Sequence, residues 1–327
     1  MKALVVGYGS IGKRHINNLL SFTNVEVLVC TNRTDVNLND KRVKVFSSLK
    51  ECVSKKPNVS FITNVTNLHI PTALILAKNG VDLFIEKPLS DSNKHARELL
   101  NIVKKKRLVT LMGCNLRFNP CIIKIKQILS RNEIGRVISV RAECGSYLPH
   151  WHPYEDYRKS YAARQDLGGG VVLTIIHEID YLYWLFGDVS QVSSITGKFS
   201  DLELKAEDLS ASLLRFKNNI VAELHLDYFQ RPSTRSCKII GTGGTIIWNE
   251  ENNTVKVYYA KKERWEEKIR LKSYDNNEEY IREVDHFLRC VKLRKNTIND
   301  VNQGVKTMKI ALAIKKSSKT KKMVSVE

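Results

Sequence analysis

The sequence lacks the features that mark membrane-spanning, secreted and zinc-binding proteins. No apolar run approaches the roughly 20 residues that a membrane-spanning helix needs, and the apolar N-terminal stretch leads directly into glycines, unlike a signal peptide. The seven cysteines are an odd number, and no two of them form a CxxC pair. We therefore expect a cytoplasmic protein with reduced thiols, no disulfide framework and no metal site.

Acidic residues are scarce relative to basic ones: 34 Asp and Glu face 53 Lys and Arg, a formal net charge of +19. The basic residues are spread along the chain, and no nucleic-acid-binding motif accompanies them. We expect neither a nucleic acid nor a membrane as partner. The charge indicates either a solvated basic surface or attraction of an anionic cofactor or substrate.

The first 118 residues alternate short apolar runs with helix-compatible segments, as βαβ units of a parallel sheet do. The predicted strands are Lys2 to Val6, Val25 to Cys30, Val59 to Thr63, Val81 to Ile85 and Val109 to Gly113. The predicted helices lie near Gly12 to Ser21, Ser47 to Val53, Ile70 to Asn79 and Ser92 to Lys105. This pattern predicts a Rossmann domain over residues 1–118 in an α/β protein.

A glycine-rich turn, GYGSIG, follows the first predicted strand and leads into a helix. Backbone N–H groups at such a helix N-terminus hold a dinucleotide pyrophosphate. Gly7 permits the tight turn, Gly9 lets phosphate approach the backbone, and Gly12 lets helix and strand pack closely. We expect these glycines with Ser10 and Ile11 to bind the cofactor; the alternative is a purely structural turn.

The end of the second strand, Cys30-Thr31-Asn32-Arg33, has no carboxylate before Asp35 to bond the adenosine ribose. Arg33 could face a 2′-phosphate, which slightly favours NADP over NAD, or it could be a solvated loop residue. Either NAD or NADP is the expected cofactor, with Thr31 and Arg33 near its adenosine.

Polar residues also follow the third and fourth predicted strands, at the sheet edge where open α/β sheets bind ligands. Asn64, Asn67 and His69 follow the third strand, and Glu86-Lys87-Pro88 ends the fourth. His69 is either a cofactor contact or a helix-entry residue without a ligand. We expect this edge to hold the rest of the cofactor.

Residues 119–327 have a different pattern. A helix is predicted over Cys121 to Leu129, and apolar helical periodicity returns at Tyr280 to Val291 and Val301 to Lys315. Between them lie predicted strands at 135–143, 191–196, 209–216, 220–227, 236–241 and 245–248. With few helices among them, they predict an α+β domain with a large, mostly antiparallel open sheet.

Within this domain, the aromatic and polar loop from Tyr147 to Arg158 is a poor helix or strand. Trp151, His152 and Tyr157 are candidate substrate contacts, because aromatic faces stack on sugar rings and polar groups bond hydroxyls. Structural ordering is the alternative. A metal site is disfavoured because no cysteine or third histidine stands near the two histidines of the loop.

Gly168-Gly169-Gly170 opens a predicted helix from Val171 to Phe186. Thr174, His177 and Asp180 are spaced three apart, which predicts one shared helical face with Thr174 and Asp180 as candidate substrate-binding residues. A neutral imidazole at His177 can accept a proton from a substrate hydroxyl. The alternative is a buried, purely structural histidine.

The glycine turn, Glu86-Lys87-Pro88 and the HEID segment at His177 together resemble the Gfo/Idh/MocA family of NAD(P)-dependent oxidoreductases. The resemblance implies that Lys87 reaches between nicotinamide and substrate and that His177 is catalytic. It also places Glu86 and Lys87 at the cofactor, and Arg117 and Asn119 as substrate-binding residues in the cleft between the domains. Because the open sheet of this family often joins subunits, the resemblance implies a homodimer or homotetramer.

Thr174 departs from the family pattern, since many members carry an aspartate three or four residues before the histidine; Asp180 is the alternative source of an orienting carboxylate. The expected activity is hydride transfer between NAD(P) and a secondary hydroxyl of a sugar or sugar derivative, acidic or nucleotide-linked. Two alternatives stay open. The protein could be a non-catalytic NAD(P) or sugar sensor, or an enzyme that uses tightly bound NAD without net redox change.

Overall fold

A computed structural model describes residues 1–326 of the chain. The chain divides into two compact units. The first comprises Met1–Asn115 and Asn276–Val305, and the second comprises Leu116–Asp275 and residues 306–326. Over the described residues, no helix combines the length and the hydropathy that crossing a bilayer requires.

Fifteen strands are formed within residues 1–326. They are β1 (Lys2–Val6), β2 (Glu26–Cys30), β3 (Val43–Phe46), β4 (Val59–Ile62), β5 (Asp82–Glu86), β6 (Thr110–Gly113), β7 (Val137–Gly145), β8 (Val189–Gly197), β9 (Leu209–Phe216), β10 (Val221–Asp227), β11 (Thr234–Gly241), β12 (Gly244–Asn249), β13 (Thr254–Tyr259), β14 (Arg264–Arg270) and β15 (Val324–Ser325).

The same residues form nine α-helices. They are α1 (Ser10–Leu20), α2 (Leu49–Ser54), α3 (His69–Lys78), α4 (Ala96–Lys106), α5 (Pro120–Ser130), α6 (Val171–Thr174), α7 (His177–Phe186), α8 (Asn277–Leu293) and α9 (Val301–Thr320).

The first unit is built on a six-stranded sheet in the order β3-β2-β1-β4-β5-β6. All five strand pairs are parallel. The central strands are apolar and buried because helices cover both faces of such a sheet. The strand order reverses between β1 and β4, so their carboxyl ends flank the crevice in which this fold binds ligands.

The second unit is built on a nine-stranded sheet in the order β14-β13-β12-β11-β7-β10-β9-β8-β15. Only the β7–β10 pair is parallel; the other seven pairs of this sheet are antiparallel. Its core joins inner-facing strand residues to apolar residues of α5, α7 and α9, among them Val140, Leu214, Leu224, Ile125, Leu182 and Ile314. Buried and exposed residues alternate along β9, so the opposite face of the sheet is bare.

These two sheets confirm the predicted α/β class, with a parallel Rossmann sheet followed by a mostly antiparallel one. The prediction missed four strands: β3, β13, β14 and the two-residue β15. The short edge strand β3 is at most partly buried, and β14 has the charged sequence RWEEKIR, so neither has a strong apolar alternation. The predicted division at residue 118 stays a prediction.

The predicted continuous helix from Val171 to Phe186 is wrong. The backbone leaves helical geometry at Ile175, where φ is −96° and ψ is 42°, and a new helix begins at His177. Thr174 and His177 therefore lie on two different helices, and the expected shared face does not exist. A run of apolar residues hides such a break, because side-chain periodicity reports burial and not the backbone angles.

Candidate functional site

The glycine turn between β1 and α1 has the backbone geometry that the sequence predicts. Gly7 has φ of 109°, a conformation that disfavours any side chain, and its N–H donates to the Cys30 carbonyl at 3.0 Å. A Cβ atom on Gly12 would collide with the Gly7 carbonyl oxygen. These two positions therefore require glycine.

Helix α1 presents its N-terminus at this turn. The first helical hydrogen bond runs from the Lys13 N–H to the Gly9 carbonyl at 2.9 Å, so the N–H groups of residues 10–12 precede the helical ladder. No heavy atom lies within 4 Å of a Cβ built on Gly9, which leaves room for a ligand at the backbone. The residues present fit a pyrophosphate.

At the end of β2, Arg33 forms a two-bond ion pair with Asp35. Its Nε and Nη2 atoms both lie 2.9 Å from the carboxylate oxygens, and both side chains are at least half exposed. The hydrogen bond from Arg33 lowers the pKa of Asp35 below its usual value. The Arg33 N–H also donates to Thr31 Oγ1 at 3.1 Å, so the predicted adenosine contacts form one ordered turn.

At the end of β4, His69 is fully buried and lies between two carbonyl oxygens. Its Nδ1 is 2.7 Å from Pro88 O, and its Nε2 is 2.9 Å from Asn64 O. Burial lowers the pKa of His69, and a neutral ring donates to only one of the two carbonyls. His69 thus joins the loop after β4 to the loop after β5. Asn67 lies in the intervening turn.

Glu86, the last residue of β5, uses its carboxylate to bond both His15 and the backbone of Lys87. Its Oε1 is 2.7 Å from His15 Nε2 in a buried pair, and its Oε2 accepts a bond from the Lys87 backbone N–H at 3.2 Å. A Cβ atom on Gly113 would approach the same carboxylate to 2.8 Å. The protein thus encloses the Glu86 carboxylate. The partly exposed Lys87 is bonded to this carboxylate through its backbone N–H.

His15 is a residue of this site that sequence reasoning missed. It lies on α1 between the buried residues Gly12 and Ile16, on the face that packs against the sheet. A polar side chain on such a face is costly unless it is hydrogen-bonded. That cost is the signal, but the partner, Glu86, lies 71 residues away and the sequence does not identify it.

In the second unit, Arg117 and Asp180 form a fully buried ion pair. The Nε and Nη2 atoms of Arg117 each lie 2.8 Å from a carboxylate oxygen, and Thr307 Oγ1 donates to the same carboxylate at 3.3 Å. The nearby Asn119 caps α5, accepting bonds from two backbone N–H groups. The structure therefore gives these three predicted substrate residues contacts inside the protein.

His177, the first residue of α7, is partly exposed, whereas its neighbours on the helix are buried in ion pairs. Glu178 accepts a bond from Arg235 Nε at 2.7 Å, and burial raises the pKa of its carboxyl. Asp180 holds Arg117 one turn further on. The ion pairs of Glu178 and Asp180, which both follow the histidine, therefore fix the first turn of α7.

Thr174, at the end of α6, lies against the hydroxyl of Tyr228, a buried residue that the sequence analysis did not select. The Trp151 ring packs edge-on against the Tyr228 ring at 5.4 Å, and its Nε1 donates to Ser146 Oγ at 2.7 Å. The structure thus brings Trp151, Tyr228 and Thr174 together. A strand-end tyrosine has no sequence motif of its own.

The other two predicted residues of the loop lie elsewhere. His152 Nδ1 is 3.1 Å from the Tyr154 hydroxyl at the surface, and the Tyr157 hydroxyl accepts a bond from the Glu203 N–H at 3.0 Å. In the part of the chain that the structure describes, no three metal-ligating side chains are grouped around one point.

Curated proteins of known sequence resemble the chain at moderate identity. The myo-inositol 2-dehydrogenase of Thermotoga maritima is 24% identical over 346 residues, covering 100% of this chain and 99% of that protein. The levoglucosan dehydrogenase of Pseudarthrobacter phenanthrenivorans is 24% identical over 226 residues, covering 61% of this chain but only 57% of that enzyme.

Solved structures share the whole fold. A levoglucosan dehydrogenase in complex with NADH superimposes with a TM-score of 0.90 at 19% identity, covering 100% of this chain and 99% of that one. The myo-inositol 2-dehydrogenase of Lactobacillus plantarum gives a TM-score of 0.84 at 20% identity, with the same coverage. At this identity the likeness establishes the fold alone.

Two family models match the chain in order. Residues 1–114 match the NAD-binding Rossmann fold of an oxidoreductase family, and residues 126–326 match the C-terminal alpha/beta domain of the same family. Together the two matches cover most of the chain, and they agree with the parallel sheet, the glycine turn and the nine-stranded sheet described above. The protein is a member of the Gfo/Idh/MocA oxidoreductase family.

Proposed function

We propose that the protein transfers a hydride between NAD and a secondary hydroxyl or keto group of a sugar or sugar derivative. The observation that carries this proposal lies at the carboxyl end of β5. There, the backbone N–H of Lys87 is bonded to the Glu86 carboxylate, which is itself bonded to the buried His15. The glycine turn built for a pyrophosphate lies at the carboxyl end of β1 in the same sheet. NAD, when bound, supplies the hydride acceptor.

Each catalytic candidate has one task in this proposal. The Lys87 ammonium donates a hydrogen bond to the reacting oxygen and stabilises the negative charge that develops there as the C–H bond breaks. His177 accepts the hydroxyl proton in oxidation and returns it in reduction. Thr174 supplies no negative charge beside the histidine, and the Asp180 carboxylate is held by Arg117.

A polyhydroxylated ring is the proposed substrate class. The relatives compared above are named for a cyclic polyol and an anhydrosugar. In this chain, the partly exposed Trp151 ring supplies aromatic surface, which suits the apolar face of such a ring. Tyr228 and Thr174 are buried next to it and support it from inside the protein. Arg117, Asn119 and Asp180 act as internal supports in this proposal.

For the cofactor we propose NAD over NADP. This reverses the preference for NADP that is expected from Arg33 alone. Two nitrogen atoms of its guanidinium are already bonded to the Asp35 carboxylate. A carboxylate near the end of β2 suits a ribose hydroxyl and repels a 2′-phosphate. Replacing NAD⁺ by NADP⁺ is expected to lower kcat/KM; a higher value with NADP⁺ would contradict this assignment.

We also propose a homodimer or homotetramer formed through the bare face of the nine-stranded sheet. This face exposes Ile195, Leu213 and Val221 by 67%, 50% and 43%. It also carries Arg141 paired with Glu223 at 3.1 Å, so both charge signs are available to a second copy. Light scattering should give a larger mass for the wild type than for Leu213→Asp. Leu293→Asp, an exposed leucine of the other unit, serves as the control.

The experiment that tests the activity is a panel of neutral and acidic sugars and cyclic polyols, assayed through the absorbance of reduced nicotinamide with NAD⁺ and NADP⁺ in parallel. Reduction of one cofactor that depends on one sugar supports the proposal. Confirmed cofactor binding without turnover on any member, in either direction, would favour a non-catalytic sensor instead.

A further inference from the structure

The second unit contains a large basic pocket that none of the roles above uses. Its volume is about 920 Å³, near the upper end of the range for small-molecule sites. Four cationic side chains and two carboxylates line it: Arg158, Arg164, Lys198, Lys205, Asp166 and Glu203. Its size exceeds what a single monosaccharide ring needs.

The walls of this pocket are bonded to each other across the sequence. Arg158 donates to Glu203 at 3.0 Å, and the Glu203 N–H donates to the Tyr157 hydroxyl at 3.0 Å. The Lys205 N–H donates to the Ala163 carbonyl at 3.1 Å. The segments 156–166 and 198–205 are therefore held together, and the pocket is a built feature rather than a gap between loose loops.

The charges in the pocket are only partly balanced. Arg164 is paired with Asp166, and Arg158 is paired with Glu203 and with Asp156. Lys198 donates to a backbone carbonyl, that of Ser200, at 2.9 Å. Neither Lys198 nor Lys205 lies within 4.0 Å of a carboxylate oxygen in residues 1–326. Arg164 and, at longer range, Lys205 lower the pKa of Asp166, so the charge of Lys205 is balanced only in part.

The pocket is bonded to the glycine triplet that precedes the catalytic candidate of the same unit. The Gly169 N–H donates to the Arg164 carbonyl at 2.9 Å, and the Gly170 N–H donates to the Ala162 carbonyl at 2.9 Å. A Cβ atom on Gly169 would collide with the Tyr161 carbonyl oxygen, so the triplet packs directly on the pocket wall. The segment that leads to His177 is thereby fixed to the basic residues.

We propose that this pocket binds the anionic group of the substrate, a phosphate or a carboxylate, and that the natural substrate is an acidic or phosphorylated sugar derivative. The proposal rests on the oxidoreductase function proposed above and adds its substrate class. Lys198 and Lys205 supply ammonium groups outside the ion pairs described above, and the paired Arg158 and Arg164 supply ordered N–H donors beside them. A pocket of this size accommodates a nucleoside diphosphate group as well as a single carboxylate.

The test measures binding without turnover. Calorimetric titrations use uridine diphosphate, glucuronate and glucose as probes, with NADH saturating so that the glycine turn is occupied. At least one anionic probe should bind the wild type more tightly than glucose does. The double variant Lys198→Gln/Lys205→Gln should weaken that binding by about tenfold. Lys261→Gln, which removes the same charge from a turn after β13, should not change it.

Which probe responds distinguishes a phosphate from a carboxylate. The proposal is overturned if neither anionic probe binds more tightly than glucose, or if the double variant binds both as the wild type does. NADH affinity and sugar-dependent turnover are measured on the same proteins. Unchanged probe binding in the double variant, with turnover on neutral sugars, overturns only the anion pocket. If instead no sugar is turned over, but the double variant still binds the anionic probe more weakly than the wild type does, only the oxidoreductase proposal is contradicted.

Discussion

Each of the two catalytic candidates stands beside a buried polar pair, but the two pairs are connected to it in different ways. In the first unit, Glu86 bonds both His15 and the backbone N–H of Lys87, so the pair touches the candidate itself. In the second unit, Arg117 and Asp180 hold α7 one turn beyond His177. The first pair positions Lys87, whereas the second anchors helix α7.

This difference predicts which pair matters for catalysis and which for stability. Loss of either pair leaves a buried carboxylate without its partner, which costs stability. Loss of His15 also disturbs the carboxylate that bonds the Lys87 N–H, whereas loss of Arg117 disturbs a helix one turn beyond His177. Only variants of the first pair should therefore lower activity by more than the lost stability explains.

The largest effect on stability is expected from Arg117→Ala. Breaking a buried, two-bond ion pair by removing one partner costs about 3–5 kcal/mol of unfolding free energy. Urea unfolding followed by circular dichroism measures this loss. Arg270→Ala, which removes an arginine from the exposed pair with Glu267, is the matched control and should unfold much as the wild type does. Equal unfolding midpoints for the two variants would contradict a fastening role.

A smaller effect, on activity, is expected from His15→Ala. Without the bond to His15 the Glu86 carboxylate shifts toward other donors, and kcat should fall by about tenfold while the KM for NAD⁺ changes little. His15→Gln keeps a side-chain N–H donor and should restore much of the rate. A wild-type kcat in His15→Ala, or no recovery with glutamine, would remove His15 from the positioning role.

The smallest effect is expected at a half-exposed pair, His225 with the buried Asp227. The hydrogen bond from Asp227 raises the pKa of His225, whose side chain is 45% exposed. The folded state thus binds the proton more tightly, so the pair stabilises the protein fully below about pH 6.5 and loses its effect as the pH rises above that value. His225→Gln should lower the melting temperature slightly in acid and not at all in mild base.

If the melting temperatures of the wild type and His225→Gln differ by the same amount at every pH, packing and not charge is responsible for the difference. The half-exposed His225 pair should contribute less to stability than the fully buried Arg117–Asp180 pair. A loss of stability in His225→Gln as large as that in Arg117→Ala would contradict this ranking.

The sequence predicts the first unit better than the second because its signals are local. Gly7 is required by its own positive φ, Gly12 is required by the carbonyl of Gly7 five residues earlier, and Lys87 follows a strand in a recognisable tripeptide. The parallel strands are buried on both faces, which makes them uniformly apolar and easy to identify. These features could be found without knowing any long-range contact.

The site residues of the second unit depend on contacts that no spacing reveals. Arg117 and Asp180 are 63 residues apart, and both are polar side chains that a motif-based argument assigns to a ligand. The helix break at Ile175 lies within an apolar run, so its periodicity gives no warning. Tyr228 enters the site only because β10 ends beside the Trp151 loop.

The central proposal is that His177 transfers the proton, Lys87 stabilises the negative charge on the reacting oxygen, and the glycine turn binds the cofactor. The most direct measurement compares kcat and the NADH dissociation constant of Lys87→Ala and His177→Ala with those of the wild type, on a sugar found in the panel. We expect kcat to fall by at least about 100-fold in each variant, with NADH affinity within a few-fold. Wild-type-like turnover in either variant would contradict the account.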